Sequence, residues 1–150
     1  MSATNSFESS ILQLVFNNTN FANIGDATGL RGSSAAGVLY LSLHTADPGE
    51  TGNQTTSEAT YTGYNRTSVL RQTGVGGWTI SGTAPTQAAL TTATAFPTCN
   101  GGTNTITHFG VGTASSGAGV LLFKGAVSPN ISVITGVIPQ LTSNTVVTCD

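Results

Sequence analysis

Charge is what this sequence has least of. Lys, Arg, Asp and Glu together make up 7% of its 150 residues, against about 25% in an ordinary soluble domain. The only basic residues are Arg31, Arg66, Arg71 and Lys124. A formal net charge of −2 builds no field that would gather nucleic acid or an anionic membrane surface, and neither partner is expected. Cysteine is almost as scarce. Cys99 and Cys149 lie far apart and outside any C-x-x-C or Cys/His pattern. Reduced thiols are the default for a chain without a secretory signal, and a Cys99–Cys149 disulfide is the alternative. No apolar run reaches the length of a membrane span, and the start, Met1-Ser2-Ala3-Thr4, lacks the basic region of a signal peptide.

Thr, Ser, Asn, Gln and 19 Gly take the place of the missing charge. An uncharged polar surface carries little self-repulsion, and interface centres are depleted in Lys, Glu and Asp. The composition therefore suits a protein that works packed against copies of itself or against partners. A Thr/Ser-rich secreted β domain is the other reading of the same numbers.

The length is that of one ordinary domain. Its one strong helix signal is at the N-terminus, where Asn5 and Glu8 fit a capping box with Asn5 as the cap. Phe7, Ile11, Leu14 and Val15 then share a face, which Leu12 and Phe16 widen. Asn17-Asn18-Thr19-Asn20 ends the helix. A helix this short needs its apolar face covered, so Phe7, Ile11, Leu14 and Val15 are candidate contacts with a neighbouring subunit or another assembly partner. Residues 21–37 are rich in Gly, Ser and Ala and read as a loop or extended arm, giving a helix and arm over 1–36 and a β domain over 37–150.

From residue 37 the pattern changes to period two. Leu39, Leu41 and Leu43 fall on one face, and Val38, Tyr40, Ser42 and His44 on the other. Asp47-Pro48-Gly49-Glu50 has the chemistry of a type II turn. Further strands are predicted over 64–71, 77–81, 87–96, 105–112, 119–127, 131–138 and 145–149. Pro139 marks an edge or a bulge. About eight short strands separated by turns predict a mostly β protein, a single antiparallel sandwich of jelly-roll type. Its expected inward residues include Leu39, Leu41, Leu43, Leu70, Trp78, Ile80, Leu90, Phe109, Val111, Leu121, Phe123, Val133, Val137 and Val146.

The candidate sites are weak ones. His44, Asp47, Glu50 and Glu58 are suitable metal donors, yet none are spaced as in H-x-x-x-H or D-x-D-x-D. The plainer reading makes Asp47 the start of a turn and His44 a strand residue. His108 stands alone in a strand. There is no G-x-S-x-G, no carboxylate pair and no phosphate-cradling loop. No catalytic residue, metal or cofactor is expected. Tyr61, Tyr64 and Trp78 form a candidate sugar-stacking platform, although Trp78, spaced two from Ile80, suits a core. Glu58 and Arg66 are a candidate structural ion pair.

The stretch Leu39-Tyr40-Leu41-Ser42-Leu43-His44-Thr45-Ala46-Asp47-Pro48-Gly49-Glu50-Thr51-Gly52 is the most distinctive in the chain. With Glu58 and Tyr64-Asn65-Arg66 it resembles a family of small tailed-phage virion proteins, described either as tail-fibre or minor structural proteins or as head-decoration (cement) proteins. Thr107-His108-Phe109-Gly110-Val111-Gly112, the segment Gly119-Val120-Leu121-Leu122-Phe123 and the ending Thr145-Val146-Val147-Thr148-Cys149-Asp150 also look like the family. Members carry a Gly-Asp pair before the penultimate strand, where this chain has Pro139-Gln140. The resemblance implies a turn motif of Thr45, Asp47, Pro48, Gly49 and Gly52, a place in the virion on the capsid surface, and no catalysis. The expected partners are the major capsid protein and further copies of the chain, in a trimer or, as second choice, a dimer. A fibre module that recognises cell-surface glycans is the alternative function.

Overall fold

The computed structural model describes residues 3–25, 29–83 and 85–149. Asp26, Ala27 and Thr28 of the expected arm, and the terminal Asp150, lie outside the described residues. The protein is mostly β. Among the described residues one helix, α1 (Asn5–Asn17), precedes nine strands: β1 (Val38–His44), β2 (Thr67–Leu70), β3 (Trp78–Ser81), β4 (Thr86–Leu90), β5 (Thr94–Ala95), β6 (Asn104–Gly112), β7 (Leu121–Val133), β8 (Gln140–Leu141) and β9 (Val146–Cys149). They form a four-stranded sheet in the order β2-β1-β6-β7, a three-stranded sheet β3-β4-β9 and a β5-β8 pair.

The chain makes two compact units, each from discontinuous segments. The first draws on residues 1–38, 70–93 and 142–150. Here α1 packs on β3 and β4, and β4 pairs antiparallel with both β3 and β9. The helix cap is Thr4, not Asn5: the Thr4 hydroxyl accepts from the Phe7 amide. Asn18 closes the other end in the left-handed conformation (φ +56°), a role Asn fills when Gly is absent.

The buried helix face differs from the expected one. Glu8, Leu12 and Phe16, four residues apart, point inward, whereas Phe7 stays 44% exposed and Ile11, Leu14 and Val15 are half-buried. The anchor is Trp78, whose ring lies 4.5 Å from that of Phe16. A flat indole selects the stripe that meets it, and the neighbouring apolar stripe is left over. Phe21 and Leu30 pair by two backbone hydrogen bonds of 2.8 and 2.9 Å.

The second unit comprises Leu39–Val69 and Thr94–Leu141. Leu39, Leu41 and Leu43 are buried as the alternation predicts. Ser42 and His44, on the opposite face, are fully buried too, because β1 runs beside β6 in the register Ser42↔Gly110 and His44↔His108 with a returning loop across its end. Strand boundaries moved where sequence periodicity is blind to pairing. The predicted strands 119–127 and 131–138 merge into the single β7, and 87–96 divides into β4 and β5. Several inward assignments need correction. Leu70 is 44% exposed, Ile80, Leu121, Phe123 and Val137 are half-buried, and in β9 it is Val147, not Val146, that reaches the core. Pro139 is in no strand; its carbonyl accepts from the Phe96 amide.

Candidate functional site

The long loop after β1 begins with the Pro-Gly turn. Gly49 takes φ +73°, the left-handed geometry that its place after proline demands, and its amide donates to Asp47 Oδ1 at 2.9 Å. That bond, followed by the Lys124 ammonium, holds the Asp47 carboxyl below its ordinary pKa. Gly52 has no room for a side chain, since a Cβ there would strike the Pro48 carbonyl. Lys124 from β7 reaches Asp47 at 3.0 Å and Glu50 at 3.2 Å. Both acids are largely exposed, so this link adds little stability.

The loop then returns antiparallel to β1. Thr45 donates to the Ser57 carbonyl and Ala59 to that of Leu43, each at 2.8 Å. The His44 ring is wedged between the two runs. Its Nδ1 lies 2.8 Å from the Thr56 carbonyl and its Nε2 2.8 Å from Ser42 Oγ. A carbonyl only accepts, so Nδ1 carries the proton and Nε2 accepts from the Ser42 hydroxyl. Burial pushes the imidazole pKa below its ordinary value, opposed by the Thr56 bond.

A serine and a histidine in contact invite comparison with a nucleophile and its base. Both are fully buried, and Gly110 lies against them, where an added Cβ would be 2.6 Å from Ser42 Oγ. The hydroxyl has no space for an acyl group, and the pair serves packing. His108 is half-buried with its Nδ1 2.9 Å from the neighbouring Thr107 hydroxyl.

Arg66 organises the far side of the loop. Its Nε and Nη2 meet Glu58 Oε1 and Oε2 at 2.7 and 2.8 Å, and its Nη1 and Nη2 donate to the carbonyls of Ala114 and Gly117 at 2.9 and 2.7 Å. Tyr64 completes the cluster. Its hydroxyl donates to Glu58 Oε1 at 2.9 Å and accepts from the Leu43 amide at 3.0 Å. The Glu58 carboxylate raises the Arg66 pKa, and burial raises that of Tyr64. Gln54 ties down the same β6–β7 connection, accepting from the Ala114 amide at 2.9 Å through Oε1 and donating to the Ala118 carbonyl at 2.9 Å through its own backbone.

The arginine five residues on does parallel work in the first unit. Arg71 donates to the carbonyls of Leu14 and Val15 at 2.7 and 2.6 Å, satisfying the open end of α1, and to Ala36 O and Ser33 Oγ. Sequence reasoning paired Glu58 with Arg66 but overlooked Arg71, Gln54, Ser42 and Tyr64 as structural partners. The signal available was scarcity: in a chain with so few cations, an arginine folded against the protein has carbonyls to serve.

The aromatic candidates do not form a platform. Tyr61 and Trp78 are 3% and 1% exposed, Tyr64 is half-buried, and Trp78 belongs to the other unit. Among the described residues no group of three or more His, Cys, Asp or Glu side chains could hold a metal, and no helix is long and apolar enough to cross a membrane. Among the described residues no disulfide joins Cys99 to Cys149. A groove of about 350 Å³ runs beside Gly49, Glu50, Gly52 and residues 121–124, and a hollow of about 170 Å³ lies over Glu58, Tyr64 and Arg66. The hollow is below the range of about 300–1,000 Å³ usual for ligand sites, and its Arg66 donors are already taken.

Over residues 2–148 the sequence matches a family model described as podophage GP4 fiber I protein gp80. No curated protein matches the chain.

Proposed function

The chain belongs to the podophage GP4 fiber I protein gp80 family, and from that premise we propose that it works as an outer-surface subunit of the phage particle, by packing rather than by chemistry. The family is one of phage structural proteins. Within that role, the reading we favour is capsid decoration: the subunit binds the outside of the shell and ties neighbouring major capsid proteins together. Several copies in one homo-oligomer, a trimer in first place and a dimer in second, would turn modest contacts into avid binding. Binding only to the intact shell would stabilise it by mass action.

One observation carries this reading. Arg66 and Arg71 spend their donors on groups of the protein itself, so the chain keeps little charge for recognising a ligand and offers a sparsely charged polar surface with apolar residues among it. Phe7, Val75, Val120, Leu122, Ile134 and Ile138 are exposed. The burial of Tyr61 and Trp78 removes the stacking platform that a glycan-recognising module would have drawn on.

The second reading is a fibre subunit, which the family's printed description favours. Copy number separates the two. Quantitative mass spectrometry of purified particles is expected to find the chain in proportion to the major capsid protein. A count commensurate with tail proteins would instead assign it to a fibre and overturn decoration.

A further inference from the structure

We propose that His44 is an acid-sensitive latch on the long loop: when its imidazole takes a second proton, residues 54–58 release the end of β1. In the closed state both ring nitrogens are satisfied, Nδ1–H by the Thr56 carbonyl and Nε2 by the Ser42 hydroxyl, each at 2.8 Å. A proton on Nε2 turns that acceptor into a donor, which the Ser42 oxygen can meet only by turning its own hydrogen elsewhere. That hydrogen must find a new acceptor in a space where Gly110 is packed without room for even a methyl group. The ring is fully buried, so the new charge has no solvent to meet.

The surrounding charges are Glu58 and Arg66 from the loop side and His108 from β6. Glu58 favours the imidazolium, while Arg66 and His108 oppose it. Glu58 offers the cation little further help, because its two oxygens already take the Arg66 fork and the Tyr64 hydroxyl. The closed state therefore holds a neutral ring and the open state a ring of ordinary basicity.

What the latch holds is a segment under tension. Ser57, next to the carbonyl that His44 grips, sits at φ +53°, a left-handed conformation that costs a non-glycine residue energy. The bonds Thr45 N to Ser57 O and Ala59 N to Leu43 O keep it there together with His44. Opening reaches further, because Glu58 adjoins Ser57 and carries Arg66, which grips the carbonyls of Ala114 and Gly117.

Amide hydrogen exchange on the whole chain tests this, corrected for intrinsic rates, from pH 7.5 to 5. The protection of the Thr45 and Ala59 amides is expected to fall about tenfold per pH unit below about 6.5, the ordinary value that the freed imidazole regains. The β6 amides paired with β1 should hold theirs. His44→Gln, which keeps a donor and an acceptor but cannot titrate, should give a flat profile. Unchanged protection of Thr45 and Ala59 down to pH 5, or an equal loss across β6, overturns the proposal. If His44→Gln fails to fold, the ring ¹⁵N shifts of the unmodified protein decide. An Nε2 that takes up its proton while Thr45 and Ala59 stay fully protected is incompatible with a latch.

Discussion

Arg66 meets Glu58 in a two-pronged ion pair, Nε to Oε1 at 2.7 Å and Nη2 to Oε2 at 2.8 Å, with only 2% of the arginine side chain exposed. The same guanidinium holds the Ala114 and Gly117 carbonyls, so one side chain fastens the returning loop to the β6–β7 connection. Removing it strands a largely buried carboxylate and two carbonyls at once.

Arg66→Ala is therefore expected to cost about 3–5 kcal/mol in a denaturant titration, the usual penalty for breaking a buried pair. Arg66→Lys should recover little, because an ammonium cannot fork across both carboxylate oxygens. A loss under about 1 kcal/mol for the alanine variant would place the pair among ordinary surface bridges.

Leu41 and Leu70 form a paired test of the core. Leu41 is fully buried, and Leu41→Ala should cost about 2–5 kcal/mol. Leu70 is 44% exposed, so Leu70→Ala should stay within about 0.5 kcal/mol. Equal losses at the two positions would show the faces of β2 to be misassigned.

The same two residues show how far the sequence carries. Along β1 the alternation of three leucines with polar neighbours is a local signal, and the burial of Leu39, Leu41 and Leu43 follows from it. Leu70 lies at the end of an edge strand, where hydrophobicity no longer reports what stands opposite. Leu12 and Phe16 face inward because Trp78, more than sixty residues away, packs there, and no helical period encodes that choice. The Glu58–Arg66 pair was legible from the scarcity of charge. The Ser42–His44–Thr56 contacts were not, because strand alternation sends Ser42 and His44 to the face opposite the leucines. The loop folding back over the end of β1 and the packing around Gly110 bury them.

Gly112→Ala should destabilise the second unit by about 1–3 kcal/mol, the range for overpacking a filled core. A Cβ there would run into the Gln54 side chain, which is fully buried and bonded to the Ala114 amide. Adding Gln54→Ala to make space should return part of the loss. Simple additivity of the two changes in a double-mutant cycle would refute the contact.

Alkali should weaken the fold through two tyrosines. Burial pushes the Tyr61 hydroxyl up to about 12 and raises that of Tyr64 as well. In the unfolded chain both ionise near about 10. Above that pH the unfolded state holds fewer protons than the folded one, so stability falls as pH rises, from about 10 up through the folded values. Denaturant midpoints at successive pH values should show this decline, with tyrosinate absorbance rising together with unfolding. Tyr61→Phe should flatten part of the slope. Tyrosinate signal from both residues near pH 10 in the folded protein would contradict their burial.

The last expectation concerns the helix stripe that the first unit covers only in part. Leu12 and Phe16 are fully buried, and the Phe16 ring lies on Trp78, so deleting residues 1–20 would strip the core and confuse attachment with unfolding. Substitution on the outer stripe avoids this. Phe7 is 44% exposed and Ile11 half-buried, and neither caps the helix nor touches the Arg71 guanidinium. Phe7→Ser with Ile11→Ser should therefore keep most of the thermal stability. If Phe7, Ile11, Leu14 and Val15 seat the subunit on its neighbours or on the shell, the double variant should shift to monomer in light scattering and fail to co-sediment with particles lacking the native protein. Removing two apolar anchors from an interface core costs several kcal/mol where such residues are hot spots, a loss that multivalent binding amplifies. Full occupancy on the particle by the double variant, with an unchanged oligomer mass, would exclude the stripe as the contact and leave attachment to other surfaces.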